Sequence, residues 1–330
     1  MEGNVTHHDL EINYDTYPSG NSIKKILPAL KKRSLHFKRL KKLIFELQPD
    51  IITSFGGAEA VFLKLISEKT KLVFESHFHR YYKIQATQNI DSIVRVRYFF
   101  EKFFEETYLR KFDKVVLLTK KDQKNYPDLT NTIVIPNSLH KIPAISSMLT
   151  NKKVLAIGRL NHQKGFDYLI QAWSIVIKSA PDWKLVIVGS GEDKLLLQNM
   201  IRNLRLEDSI TIKPPTDKIE NEYLESSIFV LSSRYEGFGL VLIEAMSYGV
   251  PCVSFDCPCG PDEIIQDKID GLLVPVENLT KLADELILLM NNRDLLIKMG
   301  KKAKENVTRF KDDIILEKWI SLYNSIIGNS

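Results

Sequence analysis

Glu236 to Glu244 reads EGFGLVLIE: two carboxylates eight positions apart, on either side of a Gly-Phe-Gly turn. The apolar run Ile228–Leu231 before it reads as a buried strand, and Leu240 to Tyr248 after it reads as a helix. A strand, a glycine turn and a helix N-terminus make an anion site, because unsatisfied backbone N–H groups and the helix dipole point at the ligand. Glu236, before the turn, can accept hydrogen bonds from sugar hydroxyls. Glu244, about a turn and a half into the helix, can reach a ribose diol. A ligand with an anionic middle and hydroxyls at both ends is a nucleotide-diphosphate sugar. Two acids around a glycine turn also occur in α/β proteins as a helix cap and a solvated face, so the rest of the chain has to support the site.

Two further segments have the same strand-turn-helix form. Val154 to Trp173 reads VLAIGRLNHQKGFDYLIQAW: a strand to Ile157, a turn opened by Gly158, the cations Arg159 and Lys164, then a helix from Phe166. Cations just past a strand end can neutralise a departing diphosphate. Ordinary surface cations would look the same in sequence. Lys184 to Glu192, KLVIVGSGE, supplies another strand and glycine turn, weak by itself because glycine turns close most such units.

Taken together these segments resemble the retaining glycosyltransferases of family 4, which have the two-domain GT-B fold. The resemblance is densest from Pro136 to about Phe310. It runs through IPNS at Ile135–Ser138, GRLNHQKGFDYLI, the GSGE turn, SSRYEGFGLVLIEAMSYGVPCVSFDCPCGP at Ser232–Pro261 and DGLLVPV at Asp270–Val276. Within the family the chain is most similar to bacterial enzymes that extend surface polysaccharides or lipid-linked oligosaccharides. The resemblance implies that Arg159 and Lys164 hold the donor diphosphate, with Gly158 at the turn. It implies that Glu236 contacts the donor sugar and Glu244 the ribose, and that the amides of Gly237, Phe238, Gly239 and Leu240 meet the phosphates. His77, in VFESHFH, matches the histidine that faces the donor sugar across the cleft, with His79 the weaker candidate. UDP is favoured over other nucleotides by resemblance alone.

The start of the chain departs from the pattern. Family members open with a strand and a glycine-rich loop, whereas MEGNVTHHDLEINYD resembles a later strand of such a domain. The GGAE at Gly56–Glu59 fits the loop of a middle unit better. The expectation is an incomplete first domain, from a late start, a fragment or a degenerate copy, and hence a weak or inactive transferase that still folds.

The 330 residues suit two cores, and 44% apolar with 26% charged residues is ordinary for a globular protein. Strands are expected at Ile51–Ser54, Leu72–Glu75, Lys114–Leu118 and Thr132–Ile135, and helices at Lys24–Leu47, Ala58–Ser67, Ile93–Lys111, Lys120–Asn125 and Asp312–Ile326. Such alternation argues α/β architecture with doubly wound parallel sheets and ligands at the carboxyl ends of strands; the resemblance implies two Rossmann-like domains facing a cleft. The expected division is an acceptor-side domain over 1–138, a donor-binding domain over 139–310 with a linker near 137–151, and a helix over 311–330 that crosses back to the first domain. No apolar run approaches the ~20 residues of a membrane span, and no signal-peptide core opens the chain. Three cysteines, Cys252, Cys257 and Cys259, lack metal-ligand spacing and suit a reduced, cytoplasmic protein.

Lys24 to Lys42 holds nine Lys or Arg and no acid, with apolar residues near helical spacing. A basic amphipathic helix suits an anionic membrane surface, hence peripheral placement on its inner face. A core-facing helix with a solvated basic side is the plainer reading. A polyprenyl-diphosphate-linked acceptor, or a glycan, would account for this helix and for the aromatic one at Ile93–Lys111. No nucleic-acid recognition pattern accompanies the charge.

Family members keep the anomeric configuration, and no carboxylate placed as a nucleophile is identifiable. Front-side substitution is then expected, with Arg159, Lys164 and the Gly237–Gly239 amides stabilising the leaving diphosphate. No DxD pair follows a strand end, so no metal and no other cofactor is expected. Two other classes remain: another GT-B sugar-nucleotide enzyme such as an epimerase, and an inactive nucleotide-sugar-binding protein. A phosphorylase would need pyridoxal phosphate and a much longer chain.

Overall fold

The computed structural model describes residues 5–12, 22–55, 58–66, 69–77, 80 and 105–328, without the side chains of 22–27 and 29. Two parallel sheets organise these residues. The first has the order β1-β2-β3-β4, from Ile51–Ser54, Lys71–Ser76, Lys114–Leu117 and Thr132–Val134. The second has the order β10-β9-β8-β5-β6-β7. Its strands are, in chain order, Lys153–Ile157 (β5), Lys184–Val188, Ile210–Lys213, Ile228–Leu231 (β8), Cys252–Phe255 and Gly271–Val274. Both are parallel throughout, as chains that alternate strand and helix require. The two sheets confirm the GT-B reading.

The order of the second sheet decides where a ligand sits. From β5 the chain adds β6 and β7 on one side, then returns to place β8, β9 and β10 on the other. Neighbouring crossovers therefore diverge between β5 and β8, opening a crevice at their carboxyl ends. The strand register Val154↔Ile228 and Leu155↔Phe229 brings Gly158 and Ser232 to the same end of the sheet. Every side chain of β8 and β9 is buried, which is why both read as unbroken apolar runs. Trp173 is fully buried against this sheet, and its indole N–H donates to Ser209 Oγ at 3.2 Å.

The last helix, Asp312–Ile327, covers the first sheet instead. Ile315, Leu322 and Ile326 pack with Val73, Val116 and Ile135, and Tyr323 OH lies 3.1 Å from Thr53 Oγ1. A second tie joins the sheets near the cleft. Glu263 accepts from the amides of Lys120 and Lys121 at 2.9 and 2.6 Å, and Lys121 Nζ sits between Asp256 and Asp262 at 3.3 and 3.0 Å.

Some expectations need correction. Ala58–Ser67 is not one helix but a 3-10 turn, Ala58–Val61, followed by Leu63–Ile66. Bonds from Phe62 N to Glu59 O and Leu65 N to Phe62 O set the tighter i→i+3 spacing, and Ser54 Oγ draws Glu59 back toward β1 at 3.0 Å. Pro28 lies inside the continuous helix Ser22–Leu47 without restarting it. Residues 5–12 form no strand; Arg39 donates to the carbonyls of Leu10 and Glu11 and pairs with the Glu11 carboxylate. Of the expected helix Ile93–Lys111, 105–109 are helical and 93–104 lie outside the described residues, as do Gly56, Gly57 and His79.

Candidate active site

Lys164 and Glu236, seventy-two residues apart in sequence, meet at the crevice with Nζ 2.6 Å from Oε1. Their side chains are only 17% and 7% exposed, so this pair is largely desolvated. Lys164 closes a short 3-10 turn, His162–Lys164, whose cap Asn161 accepts from the Lys164 amide at 3.4 Å. The lysine stem passes across Gly158; a methyl group there would stand 3.1 Å from three stem carbons. Glu236 Oε1 also accepts from Ser233 Oγ at 2.6 Å. One oxygen thus takes both protein donors. The Cys257 thiol, buried beside Glu236, is pushed well up by burial and then by that charge, so it stays neutral.

The turn after Glu236 is built as an anion cradle. Gly239 adopts φ 102°, which turns the chain into the helix Leu240–Ser247. Among the described residues the amides of 237–241 have no acceptor. Phe238 anchors the turn from below, edge-on to Phe310 with centroids 5.5 Å apart. Leu240 stays 44% exposed at the mouth. Amides on a helix N-terminus next to a lysine favour a bound diphosphate.

Beside this cradle lies a cleft of about 720 Å³, lined among others by Gly158, Arg159, Ser190, Gly191, Pro215 and Thr216. Gly189 brings its two walls together: a methyl group there would stand 1.9 Å from the Gly158 carbonyl oxygen. Arg159 does not join the Lys164–Glu236 pair. It reaches Glu192 at 3.2 Å, with 70% of its side chain exposed. An exposed pair of this kind contributes little, so a ligand anion can take Arg159 over.

Glu244 is held from a different direction. Tyr223, 1% exposed, donates its hydroxyl to Glu244 Oε2 at 2.6 Å and stacks on Tyr248 at 5.3 Å. Burial and the neighbouring carboxylate push the Tyr223 phenol well up, so it remains a donor at any working pH. Among the described residues the other Glu244 oxygen has no hydrogen-bond partner, so it is open to a ligand. Glu244→Ala should weaken UDP binding about tenfold, since a hydrogen bond to a charged group is at stake, with turnover at saturating donor less affected. Calorimetry with UDP, paired with kcat and KM, checks the split.

His77 directly follows β2, in the first sheet. Its imidazole stacks on Phe55 at 5.7 Å and lies 3.6 Å from Glu75, whose carboxyl is raised by burial and partly lowered again by His77. These partners belong to the first sheet, and none of the described contacts links His77 to Lys164 or Glu236. The structure thus gathers Gly158, Arg159, Lys164, Glu236, Gly237, Phe238, Gly239, Leu240 and Glu244 at adjoining strand ends of the second sheet, and leaves His77 at a strand end of the other. Sequence reasoning missed Tyr223, Ser233 and Arg234. Ser233 and Arg234 lie inside the SSRYEGFG stretch and were legible by position, whereas Tyr223 sits in an unremarkable helix.

Comparison with known proteins identifies the family. The model of the family described as glycosyl transferases group 1 matches residues 141–306. The chain is 34% identical to an uncharacterized glycosyltransferase of Haemophilus influenzae, over 86% of this chain and 78% of that one. It is 32% identical to the amylovoran biosynthesis glycosyltransferase AmsD of Erwinia amylovora, over 97% of this chain and 90% of that one. Among solved structures it superimposes on Staphylococcus aureus TarM, determined in complex with fondaparinux, α-GlcNAc-glycerol and UDP. That match has a TM-score of 0.75 and 28% identity, and covers 89% of this chain but 59% of TarM. The chain belongs to the glycosyl transferases group 1 family and is a glycosyltransferase of GT-B fold.

Proposed function

We propose that this protein transfers a hexose from a UDP-sugar, with retention of configuration, to a glycan or polyprenyl-diphosphate-linked acceptor in surface polysaccharide synthesis. The observation that carries the donor half is the desolvated Lys164–Glu236 pair beside the open amides of 237–241, at the point where β5 and β8 diverge. In this reading the diphosphate sits between Lys164, Arg159 and those amides, the ribose reaches Glu244, and the donor sugar lies against Glu236. UDP is present in the TarM complex, which favours that nucleotide here. As the glycosidic bond to the diphosphate breaks, negative charge grows on its terminal oxygen and the lysine stabilises it. The leaving diphosphate takes the acceptor proton, and the acceptor oxygen attacks from the same face, so the anomer is kept.

Lys164 and Arg159 supply the charge that a metal supplies in other transferases, so transfer should need no divalent ion. The test is transfer of label from UDP-sugars to saccharide acceptors, with and without EDTA, and anomer assignment of the product by NMR. Unchanged rate in EDTA and a retained anomer are expected. Donor consumption that is independent of any acceptor would instead favour an epimerase-like or hydrolytic enzyme.

No helix among the described residues is long and apolar enough to cross a membrane. Surface attachment fits helix Ser22–Leu47, whose basic stretch leaves Lys31, Arg33, Lys38, Lys41 and Lys42 exposed along with Leu30, Leu35 and Phe45. Each surface cation near an anionic leaflet is worth about 1 kcal/mol. Co-sedimentation with phosphatidylglycerol vesicles but not phosphatidylcholine vesicles is expected, falling with salt; equal binding to both would remove the electrostatic attachment.

A further inference from the structure

Lys164 ends a three-residue turn, and a turn so short has few hydrogen bonds of its own to keep a side chain in register. Its register comes from Arg234. The Arg234 amide donates to the Gln163 carbonyl at 2.8 Å, and Nη1 donates to the His162 carbonyl at 2.7 Å. The same guanidinium grips Asp167 with both arms, at 2.9 and 2.6 Å. It lies over the Tyr168 ring, 3.9 Å from the centroid, and its side chain is 13% exposed. Tyr168 OH is tied in turn to Glu277 at 2.8 Å. Two bonds complete the seam: Gln163 Nε2 to the Tyr235 carbonyl at 3.1 Å, and Ser232 Oγ to the Lys164 carbonyl at 2.9 Å.

Arg234 therefore stands two residues before Glu236 and holds the turn that carries Lys164. It spans the two strand ends that must be in register for the pair to meet. Its guanidinium is taken up by the His162 carbonyl, the Asp167 carboxylate and the Tyr168 ring. The fork geometry matters: two parallel N–H groups on one carboxylate set an angle as well as a distance, which a single ammonium cannot do.

We propose that Arg234, through its fork on Asp167 and its bond to the His162 carbonyl, is a positioning residue that sets Lys164 against the departing diphosphate. The inference rests on the transferase reading of the Lys164–Glu236 site. UDP is the leaving group itself, so the preference for UDP over uridine reads the contact without needing the acceptor.

The test is calorimetry on the full chain with UDP and with uridine, in a double-mutant cycle. Lys164→Ala should lower the UDP-over-uridine preference about tenfold, the value of a charge-assisted hydrogen bond. Arg234→Met should lower it by a similar factor, with uridine affinity within about twofold of wild type, and should cause no further loss in the Lys164→Ala background. Arg234→Lys and Asp167→Asn disturb the fold less and carry the same cycle if Arg234→Met does not fold. Both should lie between wild type and Arg234→Met. Equal losses in both backgrounds would overturn the inference, because the effect would not pass through Lys164. So would wild-type behaviour of Arg234→Lys and Asp167→Asn, or a parallel fall in uridine affinity, which marks general loosening. A wild-type chain with no preference for UDP over uridine would overturn the reading of Lys164–Glu236 as a UDP-sugar donor site.

Discussion

Lys164→Ala is expected to lower turnover on the order of 10²-fold, with a much smaller change in donor KM. The reason is the timing of the charge. In the bound donor the terminal oxygen is esterified to the sugar, and it gains charge only as that bond breaks, so the lysine contributes most in the transition state. Desolvation magnifies the effect: with its side chain 17% exposed, the ammonium acts through little intervening water. Removing it also leaves the Glu236 carboxylate with Ser233 as its remaining protein donor and costs about 3 kcal/mol of stability. Turnover must therefore be compared well below the unfolding midpoint of the variant. Arg159→Ala, which removes an exposed cation paired to Glu192, should cost less than Lys164→Ala. Normal turnover by Lys164→Ala at saturating donor would show that the leaving group is stabilised elsewhere.

Gly165→Ala is expected to destabilise the second sheet by about 3 kcal/mol, among the larger values for a single methyl group. Two costs add. Gly165 has φ 59°, a left-handed conformation that costs an L-residue about 1 kcal/mol. A methyl group there would also stand 2.1 Å from the Ser232 carbonyl oxygen, which belongs to backbone and cannot rotate away. Relief requires the turn and the end of β8 to separate, which pulls Lys164 from Glu236. The urea midpoint and the turnover should therefore fall together. Gly158→Ala makes the contrast: the nearest atoms to its methyl group are three carbons of the Lys164 stem, at 3.1 Å, and a stem can bend. That variant should keep its midpoint and lose turnover. Equal midpoints for Gly165→Ala and wild type would show that the turn yields easily.

Architecture was legible in the sequence because its causes are local. The apolar runs of β5, β6 and β8 read as buried strands, and each is followed by a glycine turn and a helix. Corrections fell where local signals were weak or split. The stretch from Ala58 has helical composition, yet its i→i+3 bonds and the pull of Ser54 on Glu59 tighten it into a 3-10 turn. At the start of the chain, Arg39 holds the carbonyls of residues 10 and 11 where a strand reading had been expected.

The candidate site divides along the same line. From the residues alone came two acids around a glycine turn, two cations past a strand end, and a helix N-terminus between them. Each depends on neighbours within a few positions, and the family resemblance turned them into a donor site. Which cation meets which acid is a different kind of fact. Arg159 and Lys164 look equivalent in sequence, five residues apart on one loop, but the crossover between β5 and β8 delivers only Lys164 to Glu236. Arg159 points toward the Gly189–Glu192 turn. Tyr223 under Glu244 and Arg234 across Asp167 are likewise products of strand order, joining residues 21 and 67 positions apart. Periodicity and turn chemistry act over one or two turns of chain, so sequence could supply the parts. The long-range pairings that set charge against charge appear only once the sheet has brought its strand ends together.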